Sequence, residues 1–203
     1  MNTFICEQNI ANFQKLLDSS ADARLQQTLQ ALLAASKREL AMLKSRTDGA
    51  DAGRNERQPA PLDAQAVKQE IQAEFNSSRN PYMLLDPGPG LTILDVNNAY
   101  ALATLIRRDK VVGKSLFDMF PDNPNDTLAN GVSNLYASLK IVAETGEPHA
   151  MAIQRYDIRN PAGEFVQRHW QPINSPITDK AGNLVFLLHH VEDVTDQETA
   201  LWL

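Results

Sequence analysis

Residues 149–194 read HAMAIQRYDIRNPAGEFVQRHWQPINSPITDKAGNLVFLLHHVEDV, and the punctuation of this stretch decides the fold. Asn160-Pro-Ala-Gly163 and Asp179-Lys-Ala-Gly182 carry the residues that tight turns need. Glycine takes positive φ without strain, and asparagine or aspartate folds back on its own backbone. The two turns separate three apolar-rich segments, His149–Ile158, Phe165–Ile177 and Leu184–Val194, which read as strands joined by hairpins. Three such strands in succession predict an antiparallel sheet.

Working towards the N-terminus, Tyr82–Leu85 is a short apolar run closed by the turn Asp86-Pro-Gly-Pro-Gly90, and Leu91–Val96 returns from it as a second strand. Asn97-Asn98 can start a helix carrying Ala99, Ala103 and Leu105-Ile106. Gly113 and Pro121 bracket a small element with Leu116, Phe117 and Phe120. Asp126 is expected to cap a longer helix whose Val132, Leu135, Leu139 and Val142 face inward and which Gly146 ends. Two strands, a cluster of helices and three hairpin-linked strands make an α+β domain: a five-stranded antiparallel sheet with helices on one face.

Residues 1–46 read as helix. Ile10, Phe13, Leu16 and Leu17 form one apolar stripe, and Leu25, Leu29, Leu32, Leu33, Leu40 and Leu43 form another. Ser19-Ser20-Ala21-Asp22 between them has the form of a capping box, so a break and a new helix start are expected there. A helical arm of this size buries too little apolar surface to stand alone. It requires a second copy, giving a homodimer held by the helical flanks, or a fold-back within the chain. Residues 47–62 form a polar, Gly- and Pro-containing linker, and Asp63 is expected to cap a flanking helix over 63–79 with Val67, Ile71 and Phe75 on one face. The domain proper spans 80–195, and 196–203 start a further helix.

Composition narrows the function. The 203 residues carry a net charge of −6, which lacks the basic footprint of a nucleic-acid binder. The single cysteine, Cys6, excludes an intrachain disulfide and any multi-cysteine metal centre. No apolar run approaches the length of a membrane span, and no signal peptide is apparent, so a cytoplasmic protein without membrane association is expected. No nucleophile elbow, nucleotide-binding loop or metal-spaced His/Glu pair appears, so no enzymatic activity is expected.

The order of elements resembles a PAS domain over roughly residues 75–195. Asp95-Val-Asn-Asn-Ala-Tyr100 is similar to the family's segment after its second strand, in which Asn97 would fix the turn into the first helix. Val111-Val-Gly-Lys-Ser-Leu-Phe117 resembles the stretch leading into its short helices, and Glu192-Asp-Val-Thr195 resembles the ending of its last strand. Arg155-Tyr-Asp157, Trp170-Gln-Pro-Ile-Asn174 and Pro176 look like a subgroup common in bacterial sensor kinases and response proteins. The resemblance implies a sensory and signal-transduction module that binds a small ligand or partner and relays the change through flanking helices. It implies a histidine kinase or similar two-component regulator as downstream effector, with Asp193 and Thr195 at the relay into the C-terminal helix. The alternative is a structural dimerisation or adaptor module with no ligand. Relatives that form a flavin adduct or carry a coumaric chromophore need a cysteine in the domain, and Cys6 lies outside it. Haem-binding relatives usually need a histidine on the long helix, and residues 126–145 contain none. A non-covalent small ligand, flavin included, is compatible with the pattern.

Tyr156 and Trp170, on neighbouring strands, are candidates to line a small-molecule pocket, with Arg155 and Asn174 as polar anchors. Against this, Trp170 could be core and Arg155 could pair with Asp157 or Glu164. Arg168 lies on the Val166/Trp170 face if the strand is regular, where it would need an acidic partner or an anionic ligand. His189 and His190, adjacent on a strand, must point to opposite faces and so cannot share one metal.

Overall fold

The structure, a computed structural model, describes residues 3–51 and 61–200. Strand β1 (Tyr82–Leu85) pairs with β2 (Ile93–Val96), and the segment after the helices supplies β3 (His149–Ala150), β4 (Gln154–Arg155), β5 (Ile158–Arg159), β6 (Phe165–Val166), β7 (His169–Thr178) and β8 (Leu184–Asp193). The main sheet runs β2-β1-β8-β7-β3, with β4 also on β7, and every pairing is antiparallel. The long hairpin β7–β8 holds register from Trp170↔Asp193 to a slip at Ile177/Thr178, and Gly182 at its turn sits at φ 84°.

One expected strand, His149–Ile158, is broken into pieces. The chain leaves the ladder at Tyr156-Asp157, where the Tyr156 ring turns inward, and β5 and β6 form a separate two-stranded ribbon. The same break interrupts the strand expected from Phe165 onward, so Val166 and Trp170 belong to different strands.

Between β2 and β3 lie α4 (Asn98–Ala103), α5 (Arg108–Val111), α6 (Leu116–Met119) and α7 (Gly131–Thr145), packed on one face of the sheet. Met83, Leu85, Leu187 and Val191 point to them by strand alternation, and with Leu116 and Leu139 they form the main core. Asn97 organises the entry to α4. It is 2% exposed, accepts from the Tyr100 and Tyr82 amides, and donates to the carbonyls of Phe75 and Asn80. Helix α7 begins five residues after Asp126, because the Asp126 carboxylate closes its own turn onto the Leu128 amide. The first turn of α7 is bound instead by Asp122, which accepts from the Val132 amide at 3.0 Å. Gly146, at φ 70°, ends α7 as expected.

Helix α3 (Pro61–Ser77) covers the opposite face of the sheet, and Asp63 lies inside it instead of capping it. Val67 and Phe75 are buried against Leu84, Val185 and Phe186. Each such side chain contributes roughly 1.5–3 kcal/mol. The stripe is covered within the chain because alternation gives β1 and β8 a second apolar face.

The arm is a hairpin of α1 (Thr3–Ser19) and α2 (Ala23–Asp48), with Asp22 itself capping α2 through the Arg24 and Leu25 amides. Helix α2 lies against α7, and Ala41 and Met42 join the main core. Past its end, Gly49 at φ 66° meets the backbone of Gly88 so closely that a Cβ would overlap it. The Ala50 and Asp51 amides donate to Pro87 O, and the Gly90 amide donates to Ser45 O at 2.7 Å. The expected linker over 47–62 is thus ordered at its start; residues 52–60 lie outside the described residues. No described helix is long and apolar enough to cross a membrane.

Candidate ligand cavity and its link to the arm

Between the inner face of the sheet and the helices is a cavity of about 60 Å³. Most of its wall is apolar, supplied by residues such as Met83, Leu116, Leu135, Met151, Trp170 and Val191. The polar side chains on the wall are Tyr100, Thr104, Gln154, Tyr156 and His189, none of them a carboxylate, lysine or arginine. Sites for drug-sized ligands run to about 300–1,000 Å³, several times the volume of this cavity.

Of the residues singled out in the sequence, the structure brings Tyr156 and Trp170 together on the wall, with Trp170 Nε1 donating to Tyr156 O at 2.9 Å. Burial pushes the Tyr156 hydroxyl well above its ordinary value, and it donates to Phe120 O. Arg155 and Arg168 do not line this cavity. Arg155 turns outward to Asp157 at 3.1 Å and Asp126 at 3.4 Å. Burial raises the Asp157 carboxyl, but the Arg155 guanidinium and the Asn123 amide outweigh it and hold the group below the usual carboxylate range. Arg168 lies in the break between β6 and β7 and pairs with Asp193 at 3.4 Å at the end of β8.

Asn174 is fully buried one step behind the wall. Its Nδ2 donates to Ser138 Oγ at 2.7 Å and lies 3.5 Å from Met151 Sδ, while its Oδ1 meets His189 Nδ1 at 2.7 Å. Ser138 Oγ also meets His149 Nδ1 at 2.8 Å. His189 itself is 5% exposed, and burial, helped by the neighbouring His190, pushes its pKa down to about 3. His190 points the other way, to Pro81 O and the Tyr82 ring, as adjacent strand residues must. Period-two reasoning left open which histidine faces inward; the register Met83↔His189 settles it.

The wall continues into the arm. A Cβ on Gly131 would overlap the Tyr156 ring, so only glycine lets α7 start there. Beside it, Asp122 is 1% exposed at its side chain and receives Arg38 Nε at 2.7 Å from α2, while Arg38 also donates to Ala129 O at 2.7 Å. Tyr136 of α7 donates to Gly49 O at 3.1 Å. Residues 120–131, which lie against Tyr156, are therefore clamped by the arm. Neither Arg38 nor Asp122 was singled out in the sequence, since their meeting is a tertiary contact with no local signal.

At the other end, helix α8 (Thr195–Ala200) follows β8 directly. The Asp193 carboxylate accepts from the Thr195 amide at 3.0 Å, and Thr195 Oγ1 accepts from the His169 amide at 2.9 Å. Thr195 thus ties the start of α8 to β7, and the Glu198 amide bonds to Val194 O. The apolar end Leu201–Leu203 lies outside the described residues.

Curated proteins give no match. Among solved structures, the chain is similar to the LOV protein of Rhodobacter sphaeroides at 14% identity, over 64% of this chain and 68% of that one, with a TM-score of 0.49. It is similar to the PAS domain of Bordetella pertussis BvgS at 19% identity, over 66% and 90% of the two chains, with a TM-score of 0.48. A PAS domain from Colwellia psychrerythraea matches at 15% identity over 64% and 98%, with a TM-score of 0.46. A family model described as PAS fold matches residues 75–199, more than half of the sequence. This chain belongs to the PAS fold family, a family of sensory and signalling modules.

Proposed function

We propose that this chain is a PAS sensory module in which a small ligand in the cavity between sheet and helices is read out as a change in how α2 sits on the domain. One observation carries the reading: Tyr156 is both a wall of the cavity and the neighbour of the loop that Arg38 clamps. At about 60 Å³ the cavity admits only a compact ligand without moving its wall. A larger ligand widens it against Tyr156 and residues 120–131, the segment held by the arm. The Asp193–Thr195 junction is the second exit, into α8, and it suits the input region of a cytoplasmic histidine kinase or similar regulator. The arm carries the self-association: Leu25 and Leu32, seven residues apart on α2, are 48% and 44% exposed and present an apolar strip to a second copy.

The small volume also favours a second reading, a structural adaptor whose core stays closed and whose helices only mediate assembly. Native mass spectrometry of protein purified from its own host separates the two. The sensory reading expects a small molecule retained at one per domain and released on denaturation. Protein that carries no bound molecule, and gains none from a host metabolite extract, supports the adaptor.

A further inference from the structure

The cavity's polar atoms are accounted for almost completely within the protein. Thr104 Oγ1 donates to Tyr100 O at 2.7 Å, Trp170 Nε1 donates to Tyr156 O, and Tyr156 Oη donates to Phe120 O. The Gln154 amide accepts from Asn134 at 2.6 Å and donates to Ala152 O at 2.9 Å. The Tyr100 hydroxyl and the Nε2 atom of His189 have no hydrogen-bond partner among the described residues, although both residues are buried and line the cavity. Their rings meet edge to face with centroids 6.1 Å apart.

The hydrogen-bond network assigns the free atoms their roles. Asn174 Nδ2 faces the Met151 thioether, which can only accept, and the Ser138 hydroxyl, which accepts here, so Oδ1 is the atom that faces His189. A carbonyl oxygen only accepts, so His189 Nδ1 carries the proton, and the neutral ring leaves Nε2 as a bare acceptor. A tyrosine hydroxyl with no acceptor of its own is a donor in waiting. The one fully buried side-chain polar atom without a partner among the described residues, His169 Nδ1, is not on this wall; Tyr100 and His189 bring one donor and one acceptor to a largely apolar wall.

We infer that the cavity selects a compact, neutral ligand with an apolar frame that donates a hydrogen bond to His189 Nε2 and accepts one from the Tyr100 hydroxyl. A hydroxyl group or a small N–H heterocycle has this chemistry. Charged ligands are excluded, because the wall offers no counter-charge and burying an unpaired ion is prohibitive. The inference rests on the reading of the cavity as a ligand site, and names what that site takes.

Pyrazole, a neutral five-membered ring with one N–H and one lone-pair nitrogen, and thiophene, a ring of similar size with neither, separate the two claims. Titrations of the full chain are followed by ¹⁵N NMR of the His189 ring and by calorimetry. The free protein is expected to show Nε2 unprotonated. Pyrazole is expected to shift that resonance saturably and to bind at least about tenfold more tightly than thiophene, the factor of one good hydrogen bond. Tyr100→Phe, which keeps the ring and removes the donor, is expected to weaken pyrazole by up to about tenfold and to leave thiophene unchanged. Thiophene binding as tightly as pyrazole, or a protonated Nε2, overturns the inference while the cavity remains a ligand site. If neither probe enters at millimolar concentration, the ligand-site reading falls and the inference with it.

Discussion

Arg38 of α2 donates from Nε to Asp122 Oδ2 at 2.7 Å, across 84 residues of sequence, and the carboxylate it reaches is almost completely buried. The pair joins the arm to the loop that closes the cavity. Its partial burial makes it more than a surface ion pair, because removing the cation leaves a buried carboxylate held, among the described residues, by the Val132 amide alone.

Arg38→Met is therefore expected to cost about 1–3 kcal/mol in urea unfolding. It is also expected to raise amide exchange along α2 and over residues 120–131 more than elsewhere. Unchanged exchange in both segments contradicts the clamp.

Gly131→Ala places a methyl group in the Tyr156 ring. The variant is expected to lose about 1–3 kcal/mol through overpacking, and adding Tyr156→Leu to recover part of that loss. Equal stability of Gly131→Ala and wild type in thermal melts would show that the ring moves aside freely.

An unfolded histidine titrates near 6.5, whereas folded His189 gains its proton only near pH 3. Between those values the unfolded chain binds a proton that the folded chain refuses. The stability associated with neutral His189 is complete above pH 6.5 and is lost as pH falls, at up to about 1.4 kcal/mol per pH unit. Unfolding free energies from pH 7 to 4.5 should show this slope, and His189→Leu should flatten it. The carboxylate Asp157, held below its ordinary value, adds its own loss only at lower pH.

Leu29 is buried in the arm, so charge there would break the hairpin itself. Leu25→Glu with Leu32→Glu alters only exposed positions. Wild type is expected to sediment as a dimer at tens of micromolar (about −6 kcal/mol on the affinity scale), and the double variant as a monomer with an unchanged melting transition. A monomeric wild type removes the self-association.

The features that the sequence made legible are those with local causes. Asn160-Pro-Ala-Gly163 and Asp179-Lys-Ala-Gly182 specify turns by their own chemistry, and both glycines adopt positive φ, at 87° and 84°. Asn97 and Gly146 start and end their helices as their residue types require. The misjudged features have distant causes. Asp126 carries the same signal whether it caps a helix or closes a turn, and Asp122 and the space beneath Tyr156 decide between them. An unbroken strand would put Arg168 on the Trp170 face, and the interruption at Gln167-Arg168 between β6 and β7 removes that premise. Tyr156 and Trp170 both reach the cavity wall, although Tyr156 does so from the gap between β4 and β5 and not from a strand. The free acceptor of His189 depends on Asn174, Ser138 and Met151, which converge from β7, α7 and the chain after β3. The docking of α2 on residues 87–90 runs through backbone amides and carbonyls, which no side-chain pattern encodes.

A double-mutant cycle of Arg38→Met with Tyr156→Phe tests most directly whether the cavity wall and the arm act as one unit. Each variant removes one hydrogen-bonding group and keeps most of the packing. Urea unfolding of the four proteins should give a coupling energy of about 0.5 kcal/mol or more, as for residues that share a network. Additivity within about 0.3 kcal/mol would show that Tyr156 and Arg38 are independent and that the cavity has no line to α2.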